Sequence, residues 1–393
     1  MKVLYVQYAN PAAYPPLQHS ARILADDGAK VLLLGIVTTG TEALEFPIRK
    51  NIDVREMKSC GPGIRQKTHY LLFCLWVAWT ALSWRPKWLY VSDALASPIA
   101  WLLTFWPGFD VVYHEHDTPA EVNANTPAVT RFMRTVLWTR RRIARRAKLC
   151  VLPNEKRVEA FRAQTQTNRP LYCVWNCPSR LEAAAVTSHV SSDQLTVFYH
   201  GSIVPDRLSL NVVRALAELP HAVSLEFAGY ETIGHEGYIR EILAEAERIG
   251  VLDRVKYIGA LPRAELLPRC SQAHVGLSVF SRDSQDLSMA TMVGASNKPF
   301  DYLLCRLALL VSDLPDWNRA FVEPGFGLSC SPEDPQSLAA ALQWFVDHPQ
   351  QRKEMGEKGR QRILADWNYE AQFGKVRRLI EHEQSQKDTG RRS

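Results

Sequence analysis

Short apolar runs rich in β-branched and aromatic residues alternate with longer helix-compatible stretches, and the chain does this twice. The first series is KVLYVQY at 2–8, AKVLLLGI at 29–36, KWLYVSD at 87–93, DVVYHEHD at 110–117 and KLCVLPNE at 148–155. Helix-compatible stretches at 17–28, 68–84, 94–106 and 127–147 lie between several of them. Strands separated by segments of that length cannot form hairpins. They pair in parallel, with each helix crossing over a face of the sheet. The second series is LTVFYHG at 195–201, VSLEFAGY at 223–230, VKYIGA at 255–260, HVGLSVF at 274–280, LALLVSD at 307–313 and FGLSC at 326–330. The expected fold is α/β: two doubly wound, Rossmann-like domains facing a cleft.

The polar, poorly periodic stretch 176–194 separates the two series, and 393 residues exceed one ordinary domain. The spacing predicts an N-terminal acceptor-side domain over 1–178, a linker over 179–194 and a C-terminal ligand-binding domain over 195–365. A helix over 366–383 is expected to cross back to the N-terminal domain, and a charged tail over 384–393 to be disordered. Hydrophobic residues at 46% and charged residues at 22% exclude a disordered chain. A net charge of +6 suits anionic ligands or an anionic membrane surface. No base-stacking module accompanies it, so no nucleic-acid partner is expected. Eight cysteines at scattered spacings read as reduced core residues of a cytoplasmic protein.

In open α/β sheets, ligands bind beyond the carboxyl ends of the strands. Four segments supply chemistry there. In YHGSIVPDR, 199–207, Gly201 admits close backbone approach and Arg207 offers a bidentate partner for phosphate. In FAGYE, 227–231, Gly229 lets a nucleotide pass over the sheet edge. YIGALPRAELL, 257–267, is strand, loop and helix. In SNKPFDY, 296–302, Pro299 suits a first helical position, which places Asn297 or Lys298 at the cap. A lysine at a helix amino end opposes the dipole unless an anion is present. Asp301, in the first turn, complements the dipole and can accept hydroxyl groups.

These segments, with LALLVSDLPDW after the last, resemble the nucleotide-sugar half of glycosyltransferase family 4 across 195–345. A looser likeness extends over 1–178. The family motif reads Asn-Lys-x-Phe-Glu-Tyr; here it is Asn297, Lys298, Phe300, Asp301 and Tyr302. The resemblance implies a GT-B architecture and a retaining glycosyltransferase. It implies that Arg207 and Lys298 hold the donor diphosphate, that Gly201 admits the phosphates and that Asp301 binds the ribose. It also implies that His116 and Asp117, at the end of VVYHEHD, position donor sugar or acceptor, and that Asn176 is structural. The sequence departs from the family in three places. Val293 stands where the motif's first glutamate falls, Ser202 follows the first glycine, and prolines fill the first-domain loop.

No Asp-x-Asp pair occurs, so cationic side chains rather than a metal are expected on the diphosphate, and no cofactor beyond the donor is expected. His114 and His116 with a nearby carboxylate form an incomplete metal set, because the sequence places no third ligand. The stretch 130–148 carries eight Lys or Arg and no acid, with Phe132, Met133, Val136, Leu137, Ile143 and Ala144 at helical spacing. It reads as a surface helix or as a site for anionic lipid or a lipid-diphosphate acceptor. The apolar run 69–84 is too short to span a bilayer and reads as a buried helix or an interfacial one, given Trp76, Trp79 and Trp84.

The reading is a transferase moving a sugar from a nucleotide-diphosphate donor to a saccharide or lipid-linked acceptor in polysaccharide or glycolipid assembly, at the inner face of a membrane. A nucleotide-sugar epimerase of the same fold would need an acid–base cluster, which only Glu115, His116 and Asp117 offer. A non-catalytic partner on a transferase scaffold is motivated by Val293 and Ser202, and is distinguished by an absence of donor turnover.

Overall fold

The structure, a computed structural model, describes residues 1–389 apart from residues 39, 59, 62 and 233 and the segments 120–130, 187–193 and 281–290. Two parallel sheets organise it. The first has the order β3-β2-β1-β4-β5-β6-β7. Its strands are β1 (Lys2–Gln7), β2 (Lys30–Ile36), β3 (Ile52–Met57), β4 (Trp88–Ser92), β5 (Asp110–His114), β6 (Leu149–Leu152) and β7 (Leu171–Cys173). The second has the order β10-β9-β8-β11-β12-β13. It comprises β8 (Leu195–Ile203), β9 (Val223–Glu231), β10 (Val255–Tyr257), β11 (Val275–Ser278), β12 (Ala308–Ser312) and β13 (Gly327–Cys330). All eleven strand runs seen in the sequence form strands. The edge strands β3 and β7 are additional. IDVREM is charged and half-exposed, and β7 has three residues, so neither carries the apolar run that marks a strand buried on both faces.

In the first unit, α2 (Ile64–Trp84), α3 (Ser97–Leu103) and α4 (Arg131–Arg146) cover one face of the sheet. They pack Phe73, Val77, Ile99, Leu103 and Ile143 against Leu89, Val91 and Tyr113. Helix α5 (Glu155–Thr165) adds Phe161 to that core. The opposite face receives α1 (Pro15–Asp26) and the C-terminal helix, with Leu17, Leu24, Tyr369, Phe373 and Val376 buried among Tyr5, Leu33 and Tyr90. The second unit carries α6 (Leu210–Ala217), α7 (Tyr238–Arg248), α8 (Arg263–Cys270), α9 (Lys298–Leu304), α10 (Pro335–Asp347) and α11 (Pro349–Ala365).

The division of the chain differs in detail from the sequence expectation. The first unit runs Met1–Asn176 and resumes at Tyr369, and residues 291–295 also belong to it although they fall within the expected C-terminal domain. Polar side chains hold them there: Asn154 Nδ2 donates to the Val293 carbonyl at 2.5 Å and Arg157 Nε to Thr291 Oγ1 at 3.0 Å. Within the expected linker, Arg180–Ala185 forms a 3-10 helix started by a Ser179–Glu182 capping box. The rest of that linker, 187–193, lies outside the described residues. The C-terminal helix α12 (Tyr369–Thr389) fastens to α1 through Arg22–Glu370 and Arg377–Asp27 ion pairs. It continues through 384–389, where disorder was expected, and no glycine or proline falls in that stretch before Gly390.

Candidate functional site

Gly201 and Gly229 are cross-strand partners in β8 and β9. Both adopt positive φ, 111° and 140°, a conformation that glycine reaches without a Cβ clash. A Cβ on Gly229 would lie 1.8 Å from the Gly201 carbonyl oxygen, so the backbones meet here at a distance no side chain permits.

Lys298 opens α9, and its chain runs alongside Gly201 to end over the rings of Tyr199 and Phe280, 5.3 and 5.7 Å from Nζ. Only 6% of the residue is exposed. Burial drives its ammonium pKa well below the usual lysine value, and the positive charge of Arg207 drives it further; Asp301 opposes both. Arg207 Nη1 donates to Ser202 Oγ at 3.2 Å. Arg207 and Lys298 therefore both reach the Gly201–Ser202 turn. Asn297 caps α9 from a helical conformation, and its Oδ1 is buried without a partner.

Asp301 is fully buried, and both its oxygens are taken by Arg263: Nη2 to Oδ1 at 2.7 Å and Nη1 to Oδ2 at 3.0 Å. The same guanidinium forks to Glu182, with Nη2 3.0 Å from Oε2 and Nε bonded to Oε1. His200 Nε2 stands 3.5 Å from Asp301 Oδ2 without a hydrogen bond. Its ring is held neutral by burial and by the charges of Lys298 and Arg263. The sequence reading gave Asp301 to the ribose. In the structure both its oxygens accept from Arg263, a residue that neither the motif nor the resemblance singles out. A signal for Arg263 was present: like Lys298 it is a cation at the first position of a helix, against the dipole.

The first unit has its own polar cluster at the carboxyl ends of β4 and β5. Asp93 adopts φ 64°, and its Oδ1 accepts from the backbone N–H groups of His116, at 2.7 Å, and Asp117, at 3.4 Å. Burial, with the Asp117 carboxylate next, pushes the Asp93 carboxyl up to about 8. The His116 ring lies 3.9 Å from that of His114 and 5.4 Å from that of Tyr14. Both His116 ring nitrogens are buried without partners, and burial, then Arg157, pulls its pKa down to about 3. Asp117 is exposed. Arg157 Nη1 donates to the His116 carbonyl at 2.5 Å, which ties this turn to Thr291. Glu115, on the other side of the strand end, is bound by Tyr113 and by Arg140 at 2.6 and 2.7 Å.

Arg207, Lys298, Asp301, Gly201, Gly229 and Asn297 thus gather in the second unit, and His116 and Asp117 gather around Asp93 in the first. Residues 184–378 match the family model described as "Glycosyl transferase-like". The second unit is a glycosyl transferase-like domain. Glycogen synthase of Mycobacterium tuberculosis is 25% identical over 157 residues, which are 40% of this chain and 36% of that protein. The chain therefore aligns with about a third of the length of that curated relative. Similar folds cover almost the whole chain. Sucrose-phosphate synthase of Thermosynechococcus elongatus matches with a TM-score of 0.73 at 15% identity, over 98% of this chain and 99% of its own. The Anabaena protein HepE in complex with UDP and glucose matches at 0.72 and 16% identity, over 97% and 100%. WaaG, a glycosyltransferase involved in lipopolysaccharide biosynthesis, matches at 0.66 and 14% identity, over 94% and 97%. The fold is that of the GT-B glycosyltransferases: two parallel-sheet α/β domains.

Proposed function

We propose that the chain transfers a sugar from a nucleoside-diphosphate donor to an acceptor hydroxyl. The observation that carries this reading is Lys298, a buried lysine at the opening of α9 whose side chain lies against the bare backbone of Gly201. Such an arrangement is unfavourable in the free protein and favourable once a diphosphate lies between Lys298 and Arg207. Gly201 and Gly229 leave the backbone bare beside it, where phosphate oxygens can approach. Lys298 and Arg207 stabilise the departing diphosphate, the work a metal ion would otherwise do.

Asp301, saturated by Arg263, acts as a positioning group that sets α9 and hence Lys298. In this reading it is not a nucleophile, and the acceptor attacks from the face the diphosphate leaves, with retention at the sugar carbon. His116 and Asp117 serve donor sugar or acceptor. UDP is the first nucleotide to test, since the structurally similar HepE carries it. The acceptor is a saccharide or a lipid-linked one, and the basic helix α4 favours a site of action at an anionic membrane surface.

A thermal-shift series with UDP, GDP, ADP and their sugar conjugates tests the reading. One diphosphate is expected to raise the melting temperature, and Lys298→Ala to abolish the shift and most turnover while the protein stays folded. A folded Lys298→Ala protein with full turnover would place the site elsewhere.

A further inference from the structure

Helices α2, α3 and α4 bury one side in the first unit's core, yet their outward sides are apolar as well. Leu71, Leu75, Trp79 and Leu82 recur at helical spacing along α2 and are exposed; Leu75 is 58% and Trp79 73% accessible. Phe105 and Trp106, just beyond α3, and Phe132 and Trp138 of α4 are exposed too. These groups touch from helix to helix. Tyr70 of α2 packs edge-on against Phe132 at 5.0 Å, and Trp101 of α3 against Trp138 at 4.7 Å. A contiguous apolar surface of this kind marks an interaction site.

Its charge selects the partner. None of the three helices contains Asp or Glu. Arg131, Arg134, Arg141, Arg142, Arg145 and Arg146 of α4 are exposed. Arg142 and Arg146 lie over Trp138 and Phe105, 5.0 and 4.0 Å from the ring centres, so cation and aromatic alternate within one surface. Among the described residues, no carboxylate forms an ion pair with Arg131, Arg134, Arg141 or Arg142. A second copy docking by two-fold symmetry would set this uncompensated positive face against itself. An anionic lipid surface meets both features: phosphate headgroups for the arginines, and the headgroup–acyl boundary for tryptophan and leucine. No helix among the described residues is long and apolar enough to cross a membrane, so the contact is with one leaflet.

We propose that α2, the end of α3 and α4 together form a docking platform for an anionic bilayer, in which α4 supplies charge and α2 the inserting side chains. The sequence offers 130–148 for anionic lipid and 69–84 as a buried or an interfacial helix, and the structure refines both. Arg140 is turned inward to Glu115 and takes no part, and the residues free to insert come chiefly from 71–82. The proposal deepens the membrane reading above and rests on it for where the acceptor resides, but lipid binding itself is independent of donor chemistry.

The test is co-sedimentation of the full chain with vesicles of phosphatidylcholine alone and of phosphatidylcholine with phosphatidylglycerol. Binding to the anionic vesicles is expected to be about tenfold tighter or more, and to weaken as salt rises. Arg141→Glu with Arg142→Glu is expected to weaken it by about tenfold or more. Leu75→Ser with Trp79→Ser is expected to weaken it comparably while leaving the salt dependence in place. Any UDP-induced thermal shift should be the same in both variants as in the parent. A parent chain that shows the UDP shift but does not bind anionic vesicles would overturn this proposal alone. Vesicle binding with no nucleotide shift would overturn the donor reading alone. Equal binding to neutral vesicles, or a dimer that Trp79→Ser dissolves, would assign the surface to something other than anionic lipid.

Discussion

Lys298 and Gly201 are in contact so close that a methyl group on the glycine would stand 3.2 Å from the lysine Cε and 3.4 Å from its Nζ. The neighbouring glycine is more constrained, because a Cβ on Gly229 meets backbone at 1.8 Å and nothing there can yield. The two substitutions to alanine should therefore separate. Gly201→Ala is expected to fold, to lose about 1–3 kcal/mol from its positive φ, and to push the lysine tip aside, which shrinks the nucleotide-induced thermal shift. Gly229→Ala is expected to break the β8–β9 pairing and yield little native protein. Melting curves with and without UDP check both. A Gly201→Ala protein with the parent's full shift would show that Lys298 does not lie where the diphosphate binds.

Lys298 carries a second consequence. Its folded pKa is depressed, so in the interval below the unfolded lysine value of about 10.4 the unfolded chain binds the extra proton, and the free protein gains stability as pH rises. Lys298→Met removes the buried charge and keeps the aliphatic stem over Tyr199 and Phe280. It is expected to raise the melting temperature of the ligand-free protein, corresponding to about 1 kcal/mol or more, while abolishing the UDP shift. In the parent protein the diphosphate restores the lysine's charge, so binding above the free pKa takes up a proton and weakens as pH rises. Calorimetry of UDP binding in two buffers of different ionisation enthalpy reads that uptake. Identical heats in both, or a Lys298→Met protein less stable than the parent, would contradict it.

Much of this was legible in the sequence, for identifiable reasons. Parallel strands buried on both faces must be apolar throughout, so KVLYVQ and ALLVS announce themselves, whereas the half-exposed edge strand IDVREM does not. Lys298 could be picked out because a cation at a helix amino end breaks a local rule. Arg263 breaks the same rule inside the segment YIGALPRAELL, and Arg157 does so within the first turn of α5, but nothing in either local sequence points to a partner. Their partners, Asp301 and Glu182 for one and His116 and Thr291 for the other, are 38, 81, 41 and 134 residues away. Pairings at that separation are set by tertiary packing and leave no local pattern. The same holds for 291–295. Val293 was read as a lost ligand, but it is the backbone of this segment, held by Asn154 and Asn176, that defines its place. Gly294 is required there because a Cβ would strike Trp175 and the Pro153 carbonyl at 2.6 and 2.7 Å.

Asp93 offers a test of the first unit's cluster. Its carboxyl is raised to about 8, mainly by burial. Between the unfolded aspartate range near ~3.9 and about 8, the native state binds the extra proton, so this residue makes stability fall as pH rises. His114 and His116 act in the opposite direction, since both are depressed, but their contribution fades as pH rises through the ordinary histidine value of about 6.5 and is common to the parent and an Asp93 variant, so it cancels between them. The difference between the parent and an Asp93 variant from about pH 6.5 to 8 therefore isolates Asp93 within this cluster. Asp93→Asn keeps an oxygen to accept from the His116 and Asp117 N–H groups and removes the titrating proton. Gln7 Nε2 donates to the other Asp93 oxygen at 3.3 Å, and its own Oε1 is buried without a partner, so a flipped Gln7 amide can accept from the new Nδ2. The stability of the Asp93→Asn protein relative to the parent is expected to grow by about 1 kcal/mol or more between pH 6.5 and pH 8. Asp93→Ala leaves the two N–H groups unmet and should lie about 1–3 kcal/mol below the Asp93→Asn protein at both values. Denaturant melts of the three proteins across that interval decide it: parallel pH slopes for the parent and the Asp93→Asn protein would mean that Asp93 carries no proton in the native state.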